Sequence, residues 1–469
     1  MKTLKNLLIL FISIAFFSCT KDDPASGRDV IISIQTAVQP ENALRVDITL
    51  QLKKKSSCRI NYWKKGNELS KKQTSASEAA LSPVITLVFL EPETTYCFQV
   101  EAMFDQESVI SDEYEFTTDA LPVEVPVCSM ISDNMKEDVD GYILLMQPEN
   151  PGYVEVVNPE GVVVWYEKMN ENVLVATFDT NTNTFSCITG NHPDKAYTGK
   201  MLVVMDIYGN KLLRKNVENM YVHHDIRRLP DGRLIVIHYV PKTFDLSKYG
   251  GAINEKVWGD GYFILDMEGN VLESWDCFGE LNPQDDPNIM KTVAITEVLD
   301  KPIKYREDWL HANSINFDSE GNFYMSFNWR SELWKIDAKT GKVSYRVGKN
   351  GNVNLPTEGI ASGMHSVFPV SPNKILVYDN GLTNHISRAL LYNIDEVSGN
   401  VTIDLNVPLD VAYTSPYMSS VRFINDNLLL FGGTLSKCIV FTTRKGEVLR
   451  TLSTMFQSFR ADYIPEINY

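Results

Sequence analysis

Apolar positions along this chain repeat with period two rather than 3.6. Val46-Asp-Ile-Thr-Leu-Gln-Leu52, Arg59-Ile-Asn-Tyr-Trp63 and Tyr96-Cys-Phe-Gln-Val-Glu-Ala102 each put hydrophobic side chains on one face of an extended segment bounded by polar or turn residues. They predict a small all-β sandwich over residues 29–120. Beyond residue 126 no long helical periodicity appears, and a different unit recurs: two short apolar strands around a glycine-containing turn. It is seen at Val154-Glu-Val-Val-Asn-Pro-Glu-Gly161 followed by Val162-Val-Val-Trp165, and again at Val203 to Gly209, Phe263 to Gly269, Leu333 to Gly341, Leu390 to Gly399 and Ile439 to Gly446. Six copies over roughly 330 residues give about 55 residues per unit, the size of a propeller blade with loop insertions. The expectation is an all-β chain in which a six-bladed β-propeller, residues 128–469, follows the sandwich.

The sandwich has a more particular signature. Leu90-Glu-Pro-Glu-Thr-Thr-Tyr96 leading into a strand, with Tyr114-Glu-Phe-Thr-Thr118 as the last strand, resembles a fibronectin type III or immunoglobulin-like domain with Tyr96 at the tyrosine corner. Such modules space or dock. The basic run Lys53, Lys54, Lys55, Arg59, Lys64, Lys65, Lys71 and Lys72 reads as a solvated face, with an anionic lipid or glycan as the alternative partner. Residues 121–127, opening Leu121-Pro-Val-Glu-Val-Pro126, read as an extended linker.

Residues 1–19 stand apart from both. Lys2 and Lys5 precede an apolar stretch, Leu7 to Phe17, too short to span a bilayer comfortably, and the segment ends at Ser18-Cys19. It resembles a bacterial lipoprotein signal, which implies lipidation of Cys19 and a chain exported and lipid-anchored to the cell envelope. Thr20-Lys21-Asp22-Asp23 resembles a surface-export signal. Overall the chain carries a net charge of −16, and this argues against a nucleic-acid partner, because phosphate neutralisation needs a basic footprint. The six remaining cysteines contain no CxxC and are scattered, so they do not form a disulfide scaffold; Cys58 with Cys97 is the one pair considered, buried free thiols the alternative.

Candidate chemistry lies in a second recurring element. His224-Asp-Ile226, Asn313-Ser-Ile315, His365-Ser-Val367 and Ser419-Ser-Val421 hold one register at the start of successive units, and residues two apart on a strand share a face, so His311 joins Asn313. If these are innermost strands, three of the seven histidines converge on one axis. Three imidazoles suit zinc or copper, or equally nucleophilic and acid–base work near neutrality. Arg330, if it reaches the channel, disfavours a metal and favours a sulfate or phosphate group. GxxxxGK[ST], GxSxG, HExxH and GxGxxG are all absent. Val240 to Trp258 and Cys277 to Trp309 read as segments between strands, either lids over the channel or surface insertions.

Taken in order, His223-His224-Asp225, Leu310-His-Ala-Asn-Ser-Ile315, Ser326-Phe-Asn-Trp-Arg330, Met364-His365, Asp379-Asn-Gly381 with Ser387-Arg388, and Phe459-Arg460-Ala461 resemble the bacterial arylsulfate sulfotransferases (ASST). The resemblance covers most of residues 128–469. It implies transfer of a sulfuryl group from an aryl sulfate donor to a phenolic acceptor without phosphoadenosine phosphosulfate, cofactor or metal. His365 is then the nucleophile that becomes sulfohistidine, His224 and His311 shuttle protons and stabilise charge, and Asn313 and Arg330 hold the sulfuryl oxygens. His224 is preferred to His223 by register. Val347 to Met364 lacks the cysteine that some members carry there. The rival readings are a non-catalytic surface propeller binding an anionic glycan or partner, and a metal-dependent propeller hydrolase or oxidase.

Overall fold

The computed structural model describes residues 30–104, 107–293 and 302–467, so the signal-like segment and Cys19 lie outside the described residues. The N-terminal region forms two antiparallel sheets, one from Ile31–Gln39, Asn42–Leu52 and Val84–Leu87, the other built on Ser57–Lys64 and Thr95–Phe104. The alternating residues foreseen as apolar faces, Val46, Ile48, Leu50, Ile60, Tyr62, Phe98 and Val100, meet in one core between the sheets. The hydroxyl of Tyr96 accepts the backbone N–H of Glu91 at 2.9 Å, the bond expected of a tyrosine corner. The basic run is partly neutralised: Lys64 pairs with Glu91 at 2.5 Å and Lys65 with Glu115 at 2.8 Å.

No disulfide joins Cys58 and Cys97; both are free. The register explains it. Cys58 faces Ala102 and Cys97 faces Trp63 on the paired strands, five positions apart along the ladder, far beyond the roughly 7 Å Cα limit for a bridge.

After residue 127 the chain is propeller-like. Four-stranded antiparallel meanders succeed one another over residues 173–216, 222–276, 312–347 and 364–408, while residues 142–169 and 420–454 each gain a strand from elsewhere in the sequence. Their outermost hairpins are the recurring turns of the sequence, and the chemistry repeats. Asp206 Oδ1 accepts the N–H groups of Tyr208 and Asn210, both at 2.9 Å, and Gly209 supplies φ +87°. Asp266 does the same for Glu268 and Asn270, with Gly269 at φ +76°. A left-handed residue after the turn needs glycine, which is why the spacing was legible.

First strands pack against first strands: Val173–Asp179 on Val222–Arg228, then on to Ala312–Phe317, Met364–Ser371 and Ser420–Phe423. Ser420–Phe423 in turn meets Asp462–Ile464, which pairs with Tyr142–Gln147 of the first sheet, so the circuit closes. Cys128–Asp133 adds a fifth strand to the last sheet. Aromatic side chains fill the wedges between sheets, as where Trp165 stacks on Phe185 at 4.2 Å and donates Nε1–H to the Ile207 carbonyl at 2.7 Å. The sandwich docks on the first sheet through Arg45–Glu167 at 2.8 Å and Phe89 against Trp165.

Residues 240–258 correct the sequence reading. They are not a segment between strands: the strands Leu234–Phe244 and Glu255–Leu265 continue their pairing to Phe244↔Glu255, so a two-stranded ribbon projects beyond the sheet.

The circuit is locked by a fully buried ion pair. Asp225 accepts Arg460 Nη2 at 2.7 Å and Nη1 at 3.2 Å, and also the backbone N–H groups of Ile226 and Ile315, both at 3.0 Å. One carboxylate thus ties the third sheet, the fourth and the C-terminal segment. Replacing Asp225 by Ala leaves Arg460 buried and unpaired and is expected to cost about 3–5 kcal/mol in denaturant unfolding.

Glu155 is the opposite case. It is buried, its Oε1 has no hydrogen-bond partner among the described residues, and burial holds its pKa well above the ordinary carboxylate value. A raised folded pKa means that stability is complete below the unfolded value of about 4.3 and is lost as pH rises through the folded one. Glu155→Gln is therefore expected to flatten the loss of thermal stability between pH 5 and 8, measured as Tm against pH.

Candidate active site

The three strands that carry the histidines are bulged at the same level. Val222 pairs with His238 and Ile226 with Val236, so His223, His224 and Asp225 face a single residue. Asn313 is the extra residue between Ala312↔Phe327 and Ser314↔Ser326, and one is also gained between His365↔Tyr378 and Phe368↔Leu376. Left-handed backbone accompanies the bulges, with φ +54° at His224, +57° at His311 and +55° at Ser366. Each such non-glycine residue costs on the order of 1 kcal/mol, a strain that accumulates at functional sites.

The bulges turn the imidazoles toward one another. The rings of His224 and His311 meet edge to face at 4.8 Å, and His365 is close enough for its charge state to bear on His224. His223 turns the other way, stacks on Tyr239 at 3.8 Å and is fully buried. Its Nδ1 lies 2.7 Å from His224 Nδ1, and its Nε2 lies 3.4 Å from Asp260 Oδ1. Burial keeps both rings neutral, His223 Nε2 makes no hydrogen bond among the described residues, and one of the two Nδ1 atoms donates to the other.

Two of the histidines have contrasting partners. His311 Nδ1–H donates to Asp308 Oδ2 at 2.5 Å. Burial disfavours the imidazolium, but the Asp308 carboxylate outweighs it, and the His311 pKa is raised. His365 Nδ1–H donates instead to the amide oxygen of Asn380, also at 2.5 Å. Asn380 cannot present its nitrogen there, because its Nδ2 donates to the carbonyls of Ser415 at 2.7 Å and Met418 at 3.2 Å. Asn328 Nδ2 approaches the same nitrogen at 3.1 Å, but the Asn380 oxygen is nearer and can only accept, so the proton is placed on Nδ1 and the lone pair on Nε2. Burial, then the neighbouring His311, pushes the His365 pKa down to about 3.

The other two residues expected at the site are held by protein partners. Asn313 donates from Nδ2 to the Met364 carbonyl at 2.8 Å and accepts from Ser326 Oγ at 2.6 Å, fixing the residue before His365. Arg330 gives Nε and Nη2 to Glu332 Oε1, at 3.1 and 3.0 Å. The guanidinium whose charge bears on His224 and His365 is Arg460. Sequence reasoning gave no role to Asp308, Asn380 or Arg460. The first stands three residues before a histidine, and the other two lie inside motifs already noted. Polar atoms without partners gather here, including Asp308 Oδ1, Asp260 Oδ2, Trp329 Nε1 and Arg460 Nε; buried orphans of this kind call for a ligand or water. The ring of Trp329 lies 5.1 Å from that of His311. None of these groups lines the cavity of about 70 Å³ bounded by Lys168, Glu171, Lys211 and Arg214 on the first two sheets.

Among the described residues no three of the histidine and carboxylate ligand atoms at this site come together as a metal site would. Among the described residues the one group at such separations is Cys97, Glu113 and Glu115 in the sandwich, where Lys65 already pairs with Glu115.

A family model described as arylsulfotransferase (ASST) matches residues 128–451. The chain belongs to the arylsulfotransferase family. A second model, described as interferon-alpha/beta receptor, fibronectin type III, matches residues 24–115. No curated protein matches the chain. Among solved structures, a protein of unknown function from Bacteroides caccae is 13% identical at a TM-score of 0.43, covering 70% of this chain and 100% of that one. A catalytically inactive virginiamycin B lyase from Staphylococcus aureus is 10% identical at 0.35, covering 70% and 88%. An auxiliary nutrient binding protein from Bacteroides thetaiotaomicron is 9% identical at 0.30, covering 91% and 97%.

The contrast in protonation is measurable. In histidine-labelled protein, NMR titration is expected to show His311 protonating above its ordinary value and His365 neutral down to about pH 3. In Asp308→Asn the main support for the imidazolium is gone and burial outweighs the smaller effect of Asp260, so the His311 titration is expected to move below the ordinary value.

Proposed function

We propose that the protein transfers a sulfuryl group from an aryl sulfate ester to a phenol through a sulfohistidine on His365, independently of phosphoadenosine phosphosulfate. The successive sheets are read as the blades of a six-bladed propeller, with the histidines at its axis. The observation that carries the reading is the Asn380 amide on His365 Nδ1, which leaves Nε2 unprotonated and nucleophilic at any physiological pH.

In the first half-reaction the Nε2 lone pair of His365 attacks sulfur in line with the ester bond. As the N–S bond forms, the S–O bond breaks and its electron pair goes to the aryl oxygen, which takes the Nε2 proton of protonated His311. A phenolic leaving oxygen has a pKa of about 10, so this proton contributes roughly 100-fold to 10,000-fold. The sulfated ring carries positive charge, which strengthens its Nδ1–H bond to Asn380. In the second half-reaction an acceptor phenol returns its proton to His311, its oxygen attacks sulfur, and the N–S electron pair returns to Nε2. With its Nδ1–H given to His223, His224 Nε2 supplies a second acceptor for the phenolic proton, and Arg460, bonded to Asp225, acts on the site only through its longer-range charge. Asn313 and Arg330 act as positioning residues, through Met364 and Glu332 respectively. The signal-like sequence of residues 1–19 supports export and lipid anchoring through Cys19.

Chromogenic aryl sulfate turnover, run with and without a phenol, tests the reading. Wild-type protein is expected to release phenol only when acceptor is present and to carry one acid-labile sulfuryl group on His365 when acceptor is withheld. His365→Ala is expected to do neither, and Asn380→Ala to lower kcat on the order of 100-fold or more as the tautomer is lost. Acceptor-independent release or a sulfate-free His365 would refute the transfer mechanism.

A further inference from the structure

We propose that Lys195 is the cation that receives the sulfuryl oxygens of the donor, at a subsite walled by Tyr239 and Trp258. The proposal rests on the sulfotransferase reading and names its anion-binding residue. Lys195 lies on the loop between Thr184–Asn191 and Gly199–Asp206, and reaches across to the segment that carries Asp308 and His311: its Nζ donates to the Glu307 carbonyl at 2.5 Å. The ammonium sits 4.2 Å from the centroid of the Tyr239 ring and 4.8 Å from that of Trp258. Tyr239 has His223 stacked on its other face, so the link from Lys195 to the cluster runs through Glu307 and its neighbour Asp308, the partner of His311.

The loop is built to hold this side chain in place. His192 Nδ1 accepts the backbone N–H groups of Asp194 at 3.0 Å and Lys195 at 3.2 Å, while its Nε2–H donates to the Glu218 carbonyl at 3.0 Å. The His192 ring packs on Tyr221, which meets Trp258 edge on at 5.1 Å.

What the ammonium lacks is a counter-ion in contact. Among the described residues the Glu307 carbonyl takes one of its three N–H bonds, and no carboxylate lies within ion-pair distance. Burial opposes its charge and the more distant Asp308, Asp260 and Glu307 favour it. A half-buried cation between two aromatic faces with donors to spare fits an ester that brings one negative charge on three oxygens and an aromatic ring. The guanidinium alternatives are occupied, Arg330 by Glu332 and Arg460 by Asp225.

The test uses an arenesulfonate, whose C–S bond cannot be transferred, beside the phenol of the same ring. Binding to the full chain is followed by calorimetry and by quenching of tryptophan fluorescence. Wild-type protein is expected to bind the arenesulfonate, Lys195→Met to lose roughly 10-fold to 100-fold in affinity, the value of a charge-assisted hydrogen bond, and Lys195→Arg to recover most of it. Phenol binding is expected to be the same in all three proteins. With active protein, Lys195→Met is expected to raise KM for the aryl sulfate and leave KM for the acceptor phenol in place. Unchanged arenesulfonate affinity in Lys195→Met, an equal loss of phenol binding, or a wild-type protein that binds no arenesulfonate would each overturn the proposal. Because arenesulfonate binding requires no turnover, protein that binds it through Lys195 but never transfers sulfate would refute the mechanism and leave this subsite standing.

Discussion

The contact on which the rest depends is the buried pair of Asp225 and Arg460. Asp225 stands between His224 and Ile226, so the carboxylate that closes the circuit of sheets also sets the backbone from which His224 projects. Arg460 reinforces this by donating to the His224 carbonyl at 3.1 Å. A buried ion pair is seldom a gain over apolar packing, since desolvation consumes most of the Coulombic energy. Here it has a different value. A hydrophobic pair would satisfy none of the four backbone and guanidinium donors that Asp225 gathers, and the bulged strands would have no common point of reference. Closure of the fold and placement of the imidazole are the same bond.

Around that point, histidines within contact of one another are set to different tasks by their hydrogen-bond partners alone. Asp308 and Asn380 offer His311 and His365 the same geometry, an oxygen at 2.5 Å from Nδ1. Both fix the same tautomer. Only the carboxylate stabilises a positive ring, so one imidazole holds a proton to give away and its neighbour holds a lone pair. On the proposed mechanism the difference between acid and nucleophile is a single substituent, oxygen or NH₂, in the supporting residue.

Much of this was legible in the sequence. The outer hairpins could be read because Asp206 with Gly209 and Asp266 with Gly269 encode their turns locally. The alternation of the sandwich strands could be read because both of its sheets bury one face only. His224, His311 and His365 were found from a shared register, although the structure reaches them by another route: the bulges break the strict two-residue alternation that placed His311 beside Asn313. The Asn313 amide accordingly points to Met364 and not into the cluster. Arg330 was named as the cation from the motif Ser326-Phe-Asn-Trp-Arg330, yet Glu332, two residues on, takes its guanidinium. Such a choice between a substrate and a protein carboxylate depends on side-chain direction, which spacing does not carry. Asp308, Asn380 and Arg460 escaped assignment for the related reason that their importance comes from partners 3, 15 and 235 residues away.

The closing strand has one further consequence, for the order of events as the chain folds. Met146 donates its backbone N–H to Ser458 Oγ at 3.1 Å across 312 residues, and joining ends so far apart costs about 5 kcal/mol of chain entropy. Meanders such as 312–347 assemble from neighbours and carry no such cost, so local sheets form early and closure comes late. Arg460 lies within the segment that arrives last. A chain whose sheets have all formed but whose ends have not met therefore has its histidines on separate, unaligned strands and no competent site. On the proposed function, the site becomes competent when the circuit is completed, in one step, and not by degrees.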